Sequence, residues 1–344
     1  MTFRTLVIGL IAVSFLMTGC AAKPAPSVTQ PAVTEAPSPT PTAESAQPKV
    51  PFDGDCAQVL TPASVADIFN GQEPTISAVT YLGGVMPDIS GSLAQLGGLA
   101  CNWWSADAEI SHVSVSMVPV AAVPADLIAV HEQFGCYGWS ICGRGEVASG
   151  MWVLVETPRL DENEEVLSDS ETQRLTAVVD AAVGSVFGHS PADYTGVAVT
   201  PTADWWALPT CDELQPAVAA AAVMTSPEAG FPGDNVPEGA VWDSLQAADI
   251  VRWCPWYQHG DQDTRITELY LQAGVGAPSA SQLTAAGAEL ITIPGADVAY
   301  RLVQDYSGGA RSVEILAVVG PNRLLVGGDE QEAVAAAVLA ALAP

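Results

Sequence analysis

Cysteine is the residue type whose chemistry the spacing of this chain restricts most. Cys101-Asn102-Trp103-Trp104 and Cys254-Pro255-Trp256-Tyr257 share a Cys-x-Trp pattern. Each has a second Cys upstream, Cys56 and Cys211, at separations of 45 and 43 residues. One pattern written twice at nearly the same spacing marks an internal duplication. Of the seven cysteines, Cys20 belongs to the lipid-anchor motif described below, and in an oxidising compartment the remaining six read as disulfides. Each copy closes on itself only if Cys56 pairs with Cys101 and Cys211 with Cys254, which leaves Cys136 for Cys142. Zinc is the competing use of these thiols. No Cys-x-x-Cys occurs, and no pair of histidines lies near a Cys pair, so no metal is expected.

Other reactive patterns are incomplete. His131-Glu132-Gln133-Phe134-Gly135 begins like a zinc-protease helix but lacks the second His. Gly138-Trp139-Ser140 runs on to Cys142 where a nucleophile elbow wants Gly, and a bridged Cys forbids that turn. No glycine loop is followed by Lys-Ser or Lys-Thr, so phosphate cradling has no support. The four histidines, His112, His131, His189 and His259, fall near four different elements, which suits solvated or core side chains better than a triad. The acidic run Asp161 to Glu165 and the pair Asp261 and Asp263 lack the glycine-punctuated loop and terminal Glu of a calcium site, and read as solvated turns. Trp103, Trp139, Trp152 and Trp256 are the candidates for an aromatic ligand pocket taking a lipid or a glycan, although aromatics beside bridged strands also serve as core. No catalytic residue and no cofactor are expected.

The elements that must position these residues begin with an export signal. Arg4 supplies positive charge, and Leu6 to Met17 is an uncharged apolar run, too short to span a bilayer comfortably but suited to a signal-peptide core. Met17-Thr18-Gly19-Cys20 resembles the bacterial lipobox. The resemblance implies cleavage before Cys20, a diacylglycerol thioether on its sulfur and anchoring by acyl chains, with each buried methylene adding about 0.8 kcal/mol of membrane affinity. Residues 1–19 are then the lipoprotein signal peptide. Residues 20–52 contain eight prolines among small polar residues and read as a semi-rigid stalk. This places the folded part on the outer face of the bacterial cytoplasmic membrane. The net charge of −28, with eight arginines against 37 acidic residues from position 53 onward, argues against nucleic acid and against a polybasic grip on lipid.

Two domains follow, 53–190 and 209–344, joined by a linker over 191–208. In the first, Thr61-Pro62 opens a helix that stops at Gly71. Strands are expected at Thr75–Tyr81, around Val113–Met117, where apolar and polar residues alternate, and at Met151–Glu156, with a glycine-rich loop over Leu82–Ala100 and a helix over Pro124–Phe134. Leu175, Val178, Val179, Ala182, Val183, Val186 and Phe187 form an apolar stripe at helical spacing, suited to covering a sheet. In the second domain a helix is expected to start at Pro216, and a Gly/Pro loop leads to Trp253-Cys254. Strands are expected near 266–271, 298–304, 312–319 and 323–326, a helix over Ser279–Glu289, and a C-terminal helix carrying Val334, Val338, Ala341 and Leu342. Where the second domain has its final strand, the first has Asp161 to Glu165. The same order twice predicts an α+β protein of two tandem related domains, each an antiparallel sheet with helices packed on one face and a disulfide staple.

Cys-x(4–5)-Pro opening a helix, a Gly-rich loop and Cys-x-Trp on a strand, behind a lipobox and a Pro/Thr stalk, resemble actinobacterial cell-envelope lipoproteins with domains of unknown function. The resemblance implies small α+β domains, some similar to the PsbP/Mog1 type, and carries no catalytic residue across. The expected role is non-catalytic binding in the envelope. The partners would be the membrane through the lipid anchor, and an envelope protein or a lipophilic or glycan ligand. The alternatives are an envelope-acting enzyme with an unrecognised site and a structural spacer.

Overall fold

The structure, a computed structural model, describes residues 50–78, 89–137, 141–159, 167–189, 200–230, 239–259, 264–305 and 311–343. Cys20, the stalk up to residue 49, Trp139, the acidic run 161–165 and the pair Asp261 and Asp263 lie outside them.

In the first half, Thr61 accepts a bond from the Ser64 backbone and caps α1 (Pro62–Ile68). Pro62 sits at the first helical position, where no N–H is needed. Then come β1 (Thr75–Ala78), α2 (Ile89–Gln95), β2 (Leu99–Trp104), β3 (His112–Pro119), α3 (Ala125–Val130), β4 (Gly135–Tyr137), β5 (Ile141–Ala148), β6 (Met151–Pro158) and α4 (Asp169–His189). The strands form an antiparallel sheet in the order β1-β2-β3-β6-β5-β4. The second half runs α5 (Cys211–Ala221), β7 (Glu228–Ala229), α6 (Ala240–Ala247), β8 (Val251–His259), β9 (Thr264–Gln272), α7 (Ala280–Ala285), β10 (Glu289–Ile291), β11 (Val298–Asp305), β12 (Arg311–Val319), β13 (Asn322–Gly328) and α8 (Gln331–Leu342). Its sheet is antiparallel in the order β10-β11-β12-β13-β9-β8-β7. The fold is therefore α+β, built from two antiparallel sheets of six and seven strands.

Each long terminal helix covers one face of its own sheet. Leu175, Val179, Ala182 and Val186 of α4 are buried against Val113, Val115, Met117 and Val153, and Trp103 and Cys101 belong to the same core. In the second half Val334, Val338 and Leu339 of α8 and Leu214 and Val218 of α5 pack with Cys254, Trp256 and Leu269. Cys56–Cys101 ties the turn before α1 to β2, and Cys211–Cys254 ties the first residue of α5 to β8, with Cα separations of 5.5 and 5.3 Å. Cys136–Cys142 joins directly opposed residues of the β4–β5 hairpin.

The opposite faces of the two sheets meet. Leu93, Leu96, Val118, Trp152 and Leu154 from the first half share one apolar cluster with Trp242, Leu245, Tyr270, Leu316 and Leu325 from the second. Helices α2 and α6 touch in this middle layer, and the Gln272 amide donates to the buried Ser92 hydroxyl at 2.8 Å across it. Burying a side chain of this size contributes about 1.5–3 kcal/mol, so the layer is a substantial third core.

Several local expectations are corrected. Helix α5 starts at Cys211, with Pro216 inside it, because Thr210 and Glu213 form a reciprocal capping box that sets the start earlier. Helices α2 and α6 occupy stretches read as glycine-rich loops. Strand β5 lies between the Cys136–Cys142 loop and β6. The two halves also differ elsewhere than at their last strand. β6 occupies the place of β13, directly beside β3 as β13 is beside β9, and the surplus strand of the second half is β10 at the far edge.

Candidate binding groove

Between the connecting segment and the end of α8 the second half opens into a groove of about 770 Å³. Its walls include Trp205, Trp206, Pro294, Val319, Leu339 and Leu342, and its polar lining includes Asp204 and Asn322. The segment bearing the tryptophans is held by one side chain. The Trp206 backbone N–H donates to Asn322 Oδ1 at 2.9 Å, and Asn322 Nδ2 donates to the Asp204 carbonyl at 2.9 Å and the Val319 carbonyl at 3.2 Å. The Gly274 N–H also donates to Asn322 Oδ1, at 3.3 Å. Asn322 is buried at the start of β13, so this amide fixes the groove wall to the sheet rather than facing a ligand. Gly274, at φ 77°, lets the Trp205 indole lie flat on the turn after β9, where a Cβ would come within 2.4 Å of the ring. The groove is thus pre-formed, mostly apolar and in the size range of small-molecule sites.

A second feature lies beside the middle layer. On the face carrying Tyr270, Glu268 of β9 and Glu314 of β12 flank Gly327 of β13 in one row of the sheet. Both carboxylates are buried. Trp253 Nε1 and the Tyr270 hydroxyl each donate to Glu268 at 3.4 Å, and a Cβ on Gly327 would lie 3.0 Å from Glu268 Oε1. Burial pushes Glu268 up to about 7; the Trp253 bond opposes this, the Glu314 charge adds to it and the Tyr270 bond opposes it. Tyr270 is raised in turn, by burial and then by Glu268. The matching row of the first half is Ser114, Glu156 and Gly143. There burial pushes Glu156 up to about 7 against a bond from Ser114. Both sheets thus set a glycine beside a carboxyl raised by burial, on different strands.

His131, at the end of α3, is buried in the middle-layer region, with Nδ1 2.9 Å from the Leu127 carbonyl and its ring against Tyr137 and Trp152. His112 pairs with Trp104 on the outer part of the first sheet. Of the four tryptophans singled out from sequence, Trp103, Trp152 and Trp256 are fully buried, one in each of the three cores, and none of them lines the groove. Trp103 and Trp256 face inward because the disulfide-bearing side of β2 and β8 is the core side, whereas Trp152 on β6 faces the middle layer. The groove tryptophans, Trp205 and Trp206, were readable only as a paired aromatic at the end of a Pro-containing connector. No group of three or more His, Cys, Asp or Glu suited to a metal occurs among the described residues.

No protein-family model matches this chain, and no characterised protein matches it in sequence. Among solved structures it is similar to the di-domain ARO/CYC StfQ from the steffimycin biosynthetic pathway, at 10% identity over 78% of this chain and 81% of that chain, with a TM-score of 0.13. A likeness at that level transfers neither site nor activity.

Proposed function

We propose that this chain is a lipid-anchored, non-catalytic binding protein of the bacterial cell envelope, and that the groove beside α8 receives a lipophilic ligand. The observation that carries the reading is the groove itself. It is open, apolar along Val319, Leu339 and Leu342, walled by two tryptophans and held in shape by Asn322. A pre-organised apolar cleft avoids the ordering cost that a collapsing site incurs on binding. The three disulfides fit an oxidising compartment, and the signal and Cys20 supply export and anchor on sequence grounds.

Native mass spectrometry of residues 53–344, released from the membrane of the protein's own host, tests this. The expected result is a discrete added mass that organic solvent extracts and that the groove-filling variant Ala340→Trp, at an exposed lining position, lacks. A bare mass, or an added mass unaffected by that variant, would refute the groove as a lipophilic site.

A further inference from the structure

The face of the first sheet that sends Val118, Trp152 and Leu154 into the middle layer continues beyond it, because alternate side chains of a strand share a face. At its other end Trp104 stands opposite His112, the rings 5.8 Å apart, and Ile141 stands opposite Tyr137. Trp104 is 53% exposed and Ile141 46%. One row further in, Asn102 is opposite Ser114 and Ser114 opposite Glu156, with Gly143 next on β5. A Cβ on Gly143 would meet the Val155 carbonyl at 2.4 Å and Glu156 Cγ at 3.1 Å. The Glu156 side chain therefore lies where that of Gly143 would have stood. The Tyr137 hydroxyl closes the row by donating to the Gly143 carbonyl at 3.2 Å.

The composition of this surface departs from that of the chain. Against 39 acidic residues overall, these two rows contain one carboxyl and no Lys or Arg. Burial raises that carboxyl and lowers His112, and the two rows present mainly hydroxyl, amide and aromatic groups. An exposed indole on a flat sheet offers a stacking platform for an apolar ring face, and the row behind it offers hydrogen-bonding groups. A saccharide has both surfaces, C–H on its ring faces and hydroxyls at its edges. Among the described residues of these two rows no Lys or Arg awaits an anionic ligand. A protein partner would need contiguous apolar anchors, and Ile141 is separated from Trp104 by His112 and Pro158. Trp104 and Glu156 lie two strands and two residues apart, roughly 12 Å by strand geometry, which leaves room for more than one sugar ring.

We propose that this open end of the first sheet is a carbohydrate-binding face that takes an uncharged glycan strand, stacking a sugar ring on Trp104 and bonding its hydroxyls through Asn102, Ser114 and Glu156. The test is titration calorimetry with tryptophan fluorescence on the full chain in detergent, using maltohexaose, an N-acetylglucosamine hexamer and a mannan oligosaccharide. At least one is expected to bind. Trp104→Ala, at an exposed position, should weaken it at least tenfold without lowering the melting temperature, and Asn102→Ala at least threefold. Leu290→Ala, at an exposed position of the other half, should leave it unchanged. Binding of none of the three glycans overturns the proposal. So does undiminished binding by Trp104→Ala, or self-association of the protein through Trp104 in place of glycan binding. If Trp104→Ala fails to fold, undiminished binding by Asn102→Ala overturns it equally.

Discussion

Replacing Glu268 by glutamine should make this protein more stable at pH 8 and leave it unchanged at pH 4.5. The carboxyl sits in the sheet of the second half, buried, with Trp253 and Tyr270 donating to it and Glu314 two strands away. Its folded value is about 7 against an ordinary 4.5. A carboxyl raised on folding holds its proton in the native state at pH values where the unfolded chain has already released it. The native state then binds more protons than the unfolded state between those limits, so stability falls as pH rises from about 4.5 to about 7, and is level above and below. At about 1.36 kcal/mol per pH unit, the charged side chain costs about 3 kcal/mol at pH 8. For a folded unit of this size that is about 6 °C in melting temperature, at roughly 2 °C per kcal/mol. Glutamine keeps an acceptor oxygen for Trp253 and Tyr270 and has no charge to bury. Glu156 is raised to a similar value, so the variant should retain part of the wild-type slope and Glu156→Gln should remove a further part. Differential scanning calorimetry of wild type and Glu268→Gln at closely spaced pH values from 4.5 to 8 gives the answer. A difference in melting temperature that is the same at both ends of the range would refute the reasoning, because it would mean that glutamine acts through packing and not through charge.

Removing one long staple as Cys211→Ser/Cys254→Ser releases a loop of 43 residues and should cost about 4 kcal/mol. Because the middle layer joins the halves, calorimetry should show the whole folded part melting earlier; a first half with an unchanged transition of its own would contradict a shared core. Gly274→Ala should destabilise by about 2–3 kcal/mol in urea unfolding, from the left-handed backbone at φ 77° and the displacement of Trp205 by the new Cβ. A variant as stable as wild type would mean that the Trp205 wall yields freely.

What the sequence made legible was whatever is local or duplicated. The stripe from Leu175 to Phe187 and the alternation at Val113, Val115 and Met117 are periodicities contained within one element, and both elements form where that spacing puts them. The disulfide partners followed from the repeat, because each Cys-x-Trp had a counterpart to constrain it. Helix α2 was hidden by Gly91, Gly97 and Gly98 around a single turn or two of apolar spacing, and β5 by Gly143 and Gly145, which leave no alternation to see. Gly145 is bare because the Trp152 indole lies against it, where a Cβ would come within 2.3 Å of Nε1. Helix α5 starts five residues before Pro216 because the capping box of Thr210 and Glu213 sets its first turn and the proline is accommodated inside it. The groove and the carboxylate rows were out of reach for a different reason. Trp206 and Asn322 are 116 residues apart, and Glu268 and Glu314 come together only through β13. No local pattern distinguishes a buried glutamate from one in water. The middle layer is the extreme case, since its partners belong to different halves and Gln272 and Ser92 are 180 residues apart.

That layer also changes how the molecule carries force. The described chain enters in the first half, at Val50, and leaves from the second, at the end of α8. Were the connector between the halves the only tie, a pull between these ends would run along a single extended peptide and swing the halves apart at little cost. Here the load passes through interdigitated side chains, with Trp152 and Leu154 on one side and Trp242 and Leu316 on the other, and through sheets each cross-linked to a flanking turn or helix by a long-loop disulfide. The peptide joining the halves is mechanically redundant. Because the two sheets share this core, an apolar ligand held beside α8 and a glycan held at Trp104 would both be carried on one packed unit.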